Sequence, residues 1–296
     1  MKPEQFIQHF SKGEYLGHLS AFANESGPGA IALQGLAGSA PAVLAAAVIR
    51  QSRKSFLFIL SERESAAYFF NDLENLLGER DLSYENRNIF LFPASYKKPY
   101  EVNETDNANV LLRSEVVNRL ASQGNKTIIV SFPEAISEKV VSRKLLKKNV
   151  IQIVRGEPLS VDFLLDMLLE YGFERVEFVV EPGQFSLRGG IIDVYSFSND
   201  YPFRIEIMGE QVESLRSFDP STQLSVKVQE KISILPDIGQ MEVKAGGREF
   251  LLDSMPANTL VWCEDTRLAE EKMKAGLEKA ANIYHTLHPD LKHLRP

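Results

Sequence analysis

The sequence predicts an α/β fold, a parallel-sheet domain carrying an inserted, smaller α+β domain. Three observations predict it. Short apolar runs alternate with longer amphipathic segments through the first half of the 296 residues. Those runs are apolar throughout rather than alternating, as strands covered on both faces are. After about residue 140 the pattern becomes one helix followed by several strands with period-two alternation.

Residues 30–34 read as a buried strand, and residues 41–51 as an Ala-rich helix with Pro41 in the first turn, where its missing N–H is not needed. Residues 55–60 read as a second strand and 62–77 as a helix stopped by Gly78. Residues 89–92 form a third strand, ended by Pro93. Residues 107–122 form a helix with Val110, Leu111, Val117 and Leu120 on its apolar face, and residues 127–131 a fourth strand. Strands alternating with helices in this way build βαβ units.

Residues 150–154 read as a strand. Residues 160–171 read as a helix with Ser160 as its cap and Gly172 as its stop. Phe203, Ile205 and Ile207 alternate with Arg204 and Glu206, the mark of a half-exposed antiparallel strand. Residues 177–181, 190–195, 211–218 and 231–235 are its expected neighbours. Residues 244–248 read as a turn, 259–263 as a strand and 264–281 as a helix. The expected organisation is an α/β domain over 1–142, an α+β insert over 143–236 and a return segment over 237–296 that completes the first domain.

Bulk properties bound the function. The net charge is −7 and the isoelectric point about 5.4, which argues against a chain whose main task is gripping phosphate backbones. The one cysteine, Cys263, permits no intrachain disulfide and reads as a small buried hydrophobe. The start, Met1 to Phe6, has no signal-peptide character. No run reaches the ~18 apolar residues of a membrane span. The expectation is a soluble cytoplasmic protein with no membrane contact, ending in charged helix-like sequence as a fragment of a longer chain would.

The expected strand at 30–34, the glycine turn and the following helix form a phosphate-loop frame. A working loop reads G-x-x-x-x-G-K-[ST]. Here the frame holds Gly35-Leu36-Ala37-Gly38-Ser39-Ala40-Pro41-Ala42. Gly35 keeps the first glycine, Ala40 replaces the second, Pro41 the lysine and Ala42 the hydroxyl residue. Pro41 brings neither charge nor N–H. Ala42 has no oxygen for Mg²⁺, and Ala40 adds a Cβ where the backbone needs freedom. Two readings stay open: a phosphate loop stripped of its chemistry, or a plain strand-to-helix turn. Glu264 and Asp265 after the last strand have the outline of a Mg²⁺ pair but equally suit a helix start.

One segment is more specific. Gly183-Gln184-Phe185-Ser186-Leu187-Arg188-Gly189-Gly190-Ile191-Ile192-Asp193-Val194-Tyr195 resembles the G-x-[FY]-x-x-R-G-x-[ILV]-[ILV]-D-[ILV]-[FY] signature shared by transcription-repair coupling factors and the repair helicase UvrB. Pro202-Phe203-Arg204-Ile205-Glu206, Phe218-Asp219-Pro220-Ser221-Thr222-Gln223, Phe92-Pro93-Ala94 with Pro99-Tyr100-Glu101, and Met255-Pro256-Ala257-Asn258-Thr259 resemble further segments of the same family. The degenerate loop favours the amino-terminal region of the coupling factors, since UvrB keeps an intact one.

The resemblance implies a degenerate phosphate-loop, helicase-like domain and an insert that docks the UvrA protein. It maps Arg188 and, with a looser match, Arg175 onto the family's docking arginines, and Phe185 onto a recurring aromatic; Ser186 replaces a further UvrB arginine. It implies no catalytic residue and no cofactor here. ATP, magnesium, RNA polymerase and duplex DNA would belong to downstream domains, where a full-length family member carries an ATP-dependent DNA translocase. The alternative is a nucleotide-dependent, UvrB-like helicase core acting on DNA.

Other clusters read as ordinary surface. Arg143, Lys144, Lys147 and Lys148 form a basic run that suits a solvated face better than a DNA contact. His9, His18, His285, His288 and His293 lack metal spacing. Glu62, Glu64, Asp72 and Glu74 suit helix solvation.

Overall fold

The computed structural model describes residues 7, 14–25, 27–82, 86–95, 107–121, 126–197, 199–236 and 247–287. In chain order the described elements are α1 (Glu14–Asn24), α2 (Ala40–Gln51), β1 (Phe56–Ile59), α3 (Arg63–Leu77), β2 (Ile89–Leu91), α4 (Asn107–Ala121), β3 (Ile128–Ser131), α5 (Pro133–Ile136), β4 (Val140–Val141), α6 (Arg143–Lys148), β5 (Ile151–Val154), α7 (Val161–Glu170), β6 (Glu174–Arg175), β7 (Gln184–Arg188), β8 (Ile191–Val194), β9 (Phe203–Met208), β10 (Gln211–Phe218), β11 (Ser225–Gln229), β12 (Lys231–Ile234), β13 (Arg248–Glu249), α8 (Leu251–Ser254), β14 (Leu260–Cys263) and α9 (Thr266–Leu287). They divide into two compact units, one of residues 1–103, 122–138 and 255–296, the other of residues 104–121 and 139–254. Helix α4 thus groups with the second unit, as do β13 and α8.

The first unit is built on a parallel sheet of order β14-β1-β3-β2. Every residue of β1 and β3 is buried, which is why those strands read as continuous apolar runs. Phe58 is the packing centre, its ring 5.0 Å from Phe69 and 5.7 Å from Trp262. Ala66, Phe69 and Leu73 give α3 one buried stripe. Lys126 donates to the carbonyls of Ile49 and Ser52 at the end of α2. Burial lowers its amine to about 8.

The expected strand at 30–34 does not form. The segment runs exposed from residue 28 to 34 and joins none of the described sheets. The physical reason is a filled slot: β1, the next strand in the chain, already pairs with β3 on one side and with β14 on the other.

The second unit holds a six-stranded sheet, order β11-β10-β9-β8-β7-β6. Neighbours are antiparallel except β6 and β7. Two short ladders accompany it, β5 with β12 and β4 with β13. Ser160 caps α7 by accepting from the Phe163 amide at 3.4 Å. Leu164 and Leu168 of α7 enter a core with Ile153, Phe185, Ile192, Ile205 and Leu215. Two expected neighbours of β9 differ. Residues 231–235 supply β12, which pairs with β5 outside the large sheet. Residues 177–181 form no strand, because side chains rather than a partner strand take up their backbone groups.

Candidate functional site

The signature segment folds as the β7–β8 hairpin, with Arg188 opposite Ile191 and Gly189-Gly190 at the turn. Period-two alternation sorts its side chains. Phe185, Ile192 and Val194 point into the core under α7. Ser186, Arg188 and Asp193 take the other face, where the register aligns Ser186 with Asp193 and Asp193 with Arg204 of β9.

Asp193 is the hub of that face and is fully buried. Arg204 grips it with two bonds, Nε to Oδ1 at 2.7 Å and Nη2 to Oδ2 at 2.8 Å. Arg188 Nη2 donates to Oδ2 as well. A carboxylate held by two guanidiniums keeps its charge in the interior, where an unpaired one would be costly. The hydrogen bond to Asp193 in turn raises Arg204 above the usual arginine range.

Arg188 has further contacts. Its Nη1 donates to the Glu177 carbonyl at 2.9 Å and to Ser186 Oγ at 3.3 Å. Its guanidinium lies 5.4 Å from the Phe178 ring centroid, and its side chain remains 36% exposed. Arg204 stacks 4.4 Å from the Phe218 centroid and reaches Gln223 Oε1 at 3.3 Å. Gln223, with a φ of 61°, is the one non-glycine residue at positive φ among those described. Its amide nitrogen donates to the carbonyls of Pro220 at 2.8 Å and Val179 at 3.3 Å. Asp219 shapes the same turn by accepting from the Ser221 and Thr222 amides. Hydrogen bonding to the Thr222 backbone holds its carboxyl below the usual range.

The structure therefore sorts the three expected docking residues. Arg188 is half-buried and tied into the network. Arg175 is exposed on the edge strand β6. Phe185 is 1% exposed and packs in the core, so it is corrected from a contact residue to a core residue. Its place on the inward pleat, opposite Val194, gives the reason. Asp193, Arg204 and Gln223 lay inside quoted motifs but were not singled out; the strict alternation around Arg204 was the available signal. Phe178 carried no signal, because a loop has no period to read.

In the first unit, the turn 35–39 is exposed throughout. Gly35 and Gly38 adopt φ of 80° and 58°, and a Cβ on either would meet nothing within 4 Å. Ala40 opens α2 with a helical backbone rather than at positive φ, which corrects that expectation. Pro41 takes the first turn of α2 and Ala42 is buried. Beyond β14, Glu264 Oε2 accepts from the Ser61 amide at 2.7 Å. Asp265 Oδ1 accepts from the Arg267 and Leu268 amides. Asp265 thus caps α9, the helix-start role that a carboxylate suits.

Burial raises the thiol of Cys263. Ser142 caps α6, which leaves Lys144, Lys147 and Lys148 exposed. His18 is exposed. Among the described residues no group of three or more His, Cys, Asp or Glu is placed to hold a metal, and no helix is long and apolar enough to cross a membrane. Residues 1–6 and 244–246, Pro99-Tyr100-Glu101, His9, His288 and His293 lie outside the described residues.

Comparison with known proteins bears out the family resemblance. Residues 151–238 match the family model of the UvrB interaction domain. The chain is 31% identical over 256 residues to the transcription-repair-coupling factor of Bacillus subtilis (strain 168), covering 86% of this chain and 20% of that protein. It is 27% identical over 203 residues to that of Myxococcus xanthus, covering 69% of this chain and 17% of the relative. The value is 28% over 201 residues for Staphylococcus aureus (strain NCTC 8325 / PS 47), covering 68% and 16%. The chain spans about a fifth or less of the length of these curated relatives.

Proposed function

We propose, taking as premise that the similarity supports an N-terminal region of a transcription-repair-coupling factor, that this chain is a non-catalytic recruitment module of transcription-coupled nucleotide excision repair. In this reading the second unit docks the UvrA protein. The observation that carries it is the coincidence of the matched segment, 151–238, with the strands β5 to β12 and the Asp193 network. The first unit serves as scaffold, its glycine turn being a degenerate phosphate loop.

The chemistry supports a docking role over turnover. Lysine and hydroxyl are replaced by Pro41 and Ala42, and the acids after β14 are engaged with backbone amides. Arg175 and Arg188 remain as cations on the side of the sheet bearing β6 and β7, suited to carboxylates on a partner.

Calorimetric titration of purified UvrA into the 296-residue chain tests the reading, with ATP and magnesium as a parallel ligand. Saturable binding of UvrA and no heat from millimolar ATP are expected. ATP binding without UvrA binding would favour the nucleotide-dependent reading instead.

A further inference from the structure

We propose that the loop of residues 176–182, with Phe178 as its anchor, is the element the second unit presents to its protein partner, and that Arg188 acts mainly by fixing that loop. This rests on the docking reading above and deepens it.

The loop has no regular secondary structure, yet it is pinned along its length. The Val176 amide donates to the Phe185 carbonyl at 2.9 Å. The Glu177 carbonyl accepts from Arg188 and the Val179 carbonyl from Gln223. The amides of Val180 and Glu181 both donate to Gln184 Oε1, at 2.9 and 3.0 Å. Val179 is fully buried beside Tyr195 and Phe218. On either side of it, Phe178 is 56% exposed and Val180 51% exposed.

Burial of apolar surface drives folding, and a loop so tightly held gains nothing from two large apolar side chains in water. Contiguous exposed apolar groups mark contact surfaces. The loop's engaged amides and carbonyls leave little for a partner strand to pair with, so recognition falls to side chains. A rigid aromatic on a pre-fixed loop loses little entropy on binding.

The partner surface this fits is an apolar hollow for Phe178 and Val180 with a carboxylate facing Arg188, whose guanidinium stacks on the Phe178 ring. Glu177 and Glu181 are also exposed on the loop, so the rest of the rim carries the opposite sign.

The test titrates purified UvrA into the intact chain and four variants. Phe178→Ala is expected to weaken binding about tenfold or more, with its melting temperature unchanged because the ring packs against solvent. Val228→Ser, at the opposite edge of the same sheet, is expected to bind as wild type. Arg188→Gln is expected to weaken binding, and the Phe178→Ala/Arg188→Gln double variant to lose less than the two single losses combined, since Arg188 works through the loop. Full additivity would overturn the positioning role of Arg188. Wild-type binding that Phe178→Ala leaves unchanged, or that Val228→Ser alone reduces, overturns the loop as the recognised element. Sedimentation of the chain alone adds a check: self-association abolished by Phe178→Ala would assign the loop to a second copy and overturn the proposal. Failure of the wild-type chain to bind UvrA at all would instead remove the docking reading beneath it.

Discussion

The two glycine-bearing motifs of this chain differ in what surrounds them. The turn at Gly35–Ser39 stands in open space, and nothing lies within 4 Å of a Cβ at Gly35 or Gly38. The signature hairpin of the second unit is the reverse. Gly183 lies against Phe197, whose ring would sit 2.4 Å from an added Cβ. Asp193 is enclosed by Arg188 and Arg204. The first motif has the outline of a site without its chemistry. The second has chemistry-bearing residues that are mostly consumed in holding the fold. A motif's residue types therefore do not reveal whether they face a ligand or each other; their burial does.

Substitutions can break or sharpen this contrast. The largest effect is expected at Phe185. Phe185→Ala should cost about 4 kcal/mol in urea denaturation, as large-to-small changes in cores do. If stability holds while UvrA binding falls, Phe185 is a contact residue after all. Asp193→Ala should cost about 3 kcal/mol by leaving two arginines without their buried counter-charge. A melting curve indistinguishable from wild type would show that the network carries no stability.

The glycines give a paired comparison. Gly183→Ala should cost about 2 kcal/mol, since positive φ and the Phe197 ring both oppose a methyl. Gly38→Ala should cost about 1 kcal/mol from its backbone alone. Equal costs, measured side by side, would erase the difference between an open turn and an enclosed one.

The smallest effect is a pH dependence confined to the second unit. The Tyr195 hydroxyl donates to the Asp200 carbonyl at 2.8 Å, and burial pushes its phenol from 10 up to about 12. Between those values the folded chain keeps a proton that the unfolded chain has lost. Stability is therefore intact below pH 10 and falls as pH rises through that window, on the order of 1 kcal/mol by about pH 11. Tyr195→Phe should flatten that slope; an unchanged slope would point to another group.

The sequence by itself determined the periodic parts. Continuous apolar runs gave β1 and β3, and alternation at Phe203, Ile205 and Ile207 gave the exposed-face pattern of β9. Ser160 and Gly172 bracketed α7. The empty slots at Pro41 and Ala42 were likewise legible, because the absence of a charge or a hydroxyl is a property of composition. Tertiary structure alone decided the rest. It left residues 30–34 outside the sheet, since partners for β1 came from distant parts of the chain. It turned Phe185 inward, closed Asp193 between two arginines, and fixed the 176–182 loop with Phe178 outward. The reason is that local patterning reports which face a side chain takes within its own element, whereas burial depends on what another segment places against that face.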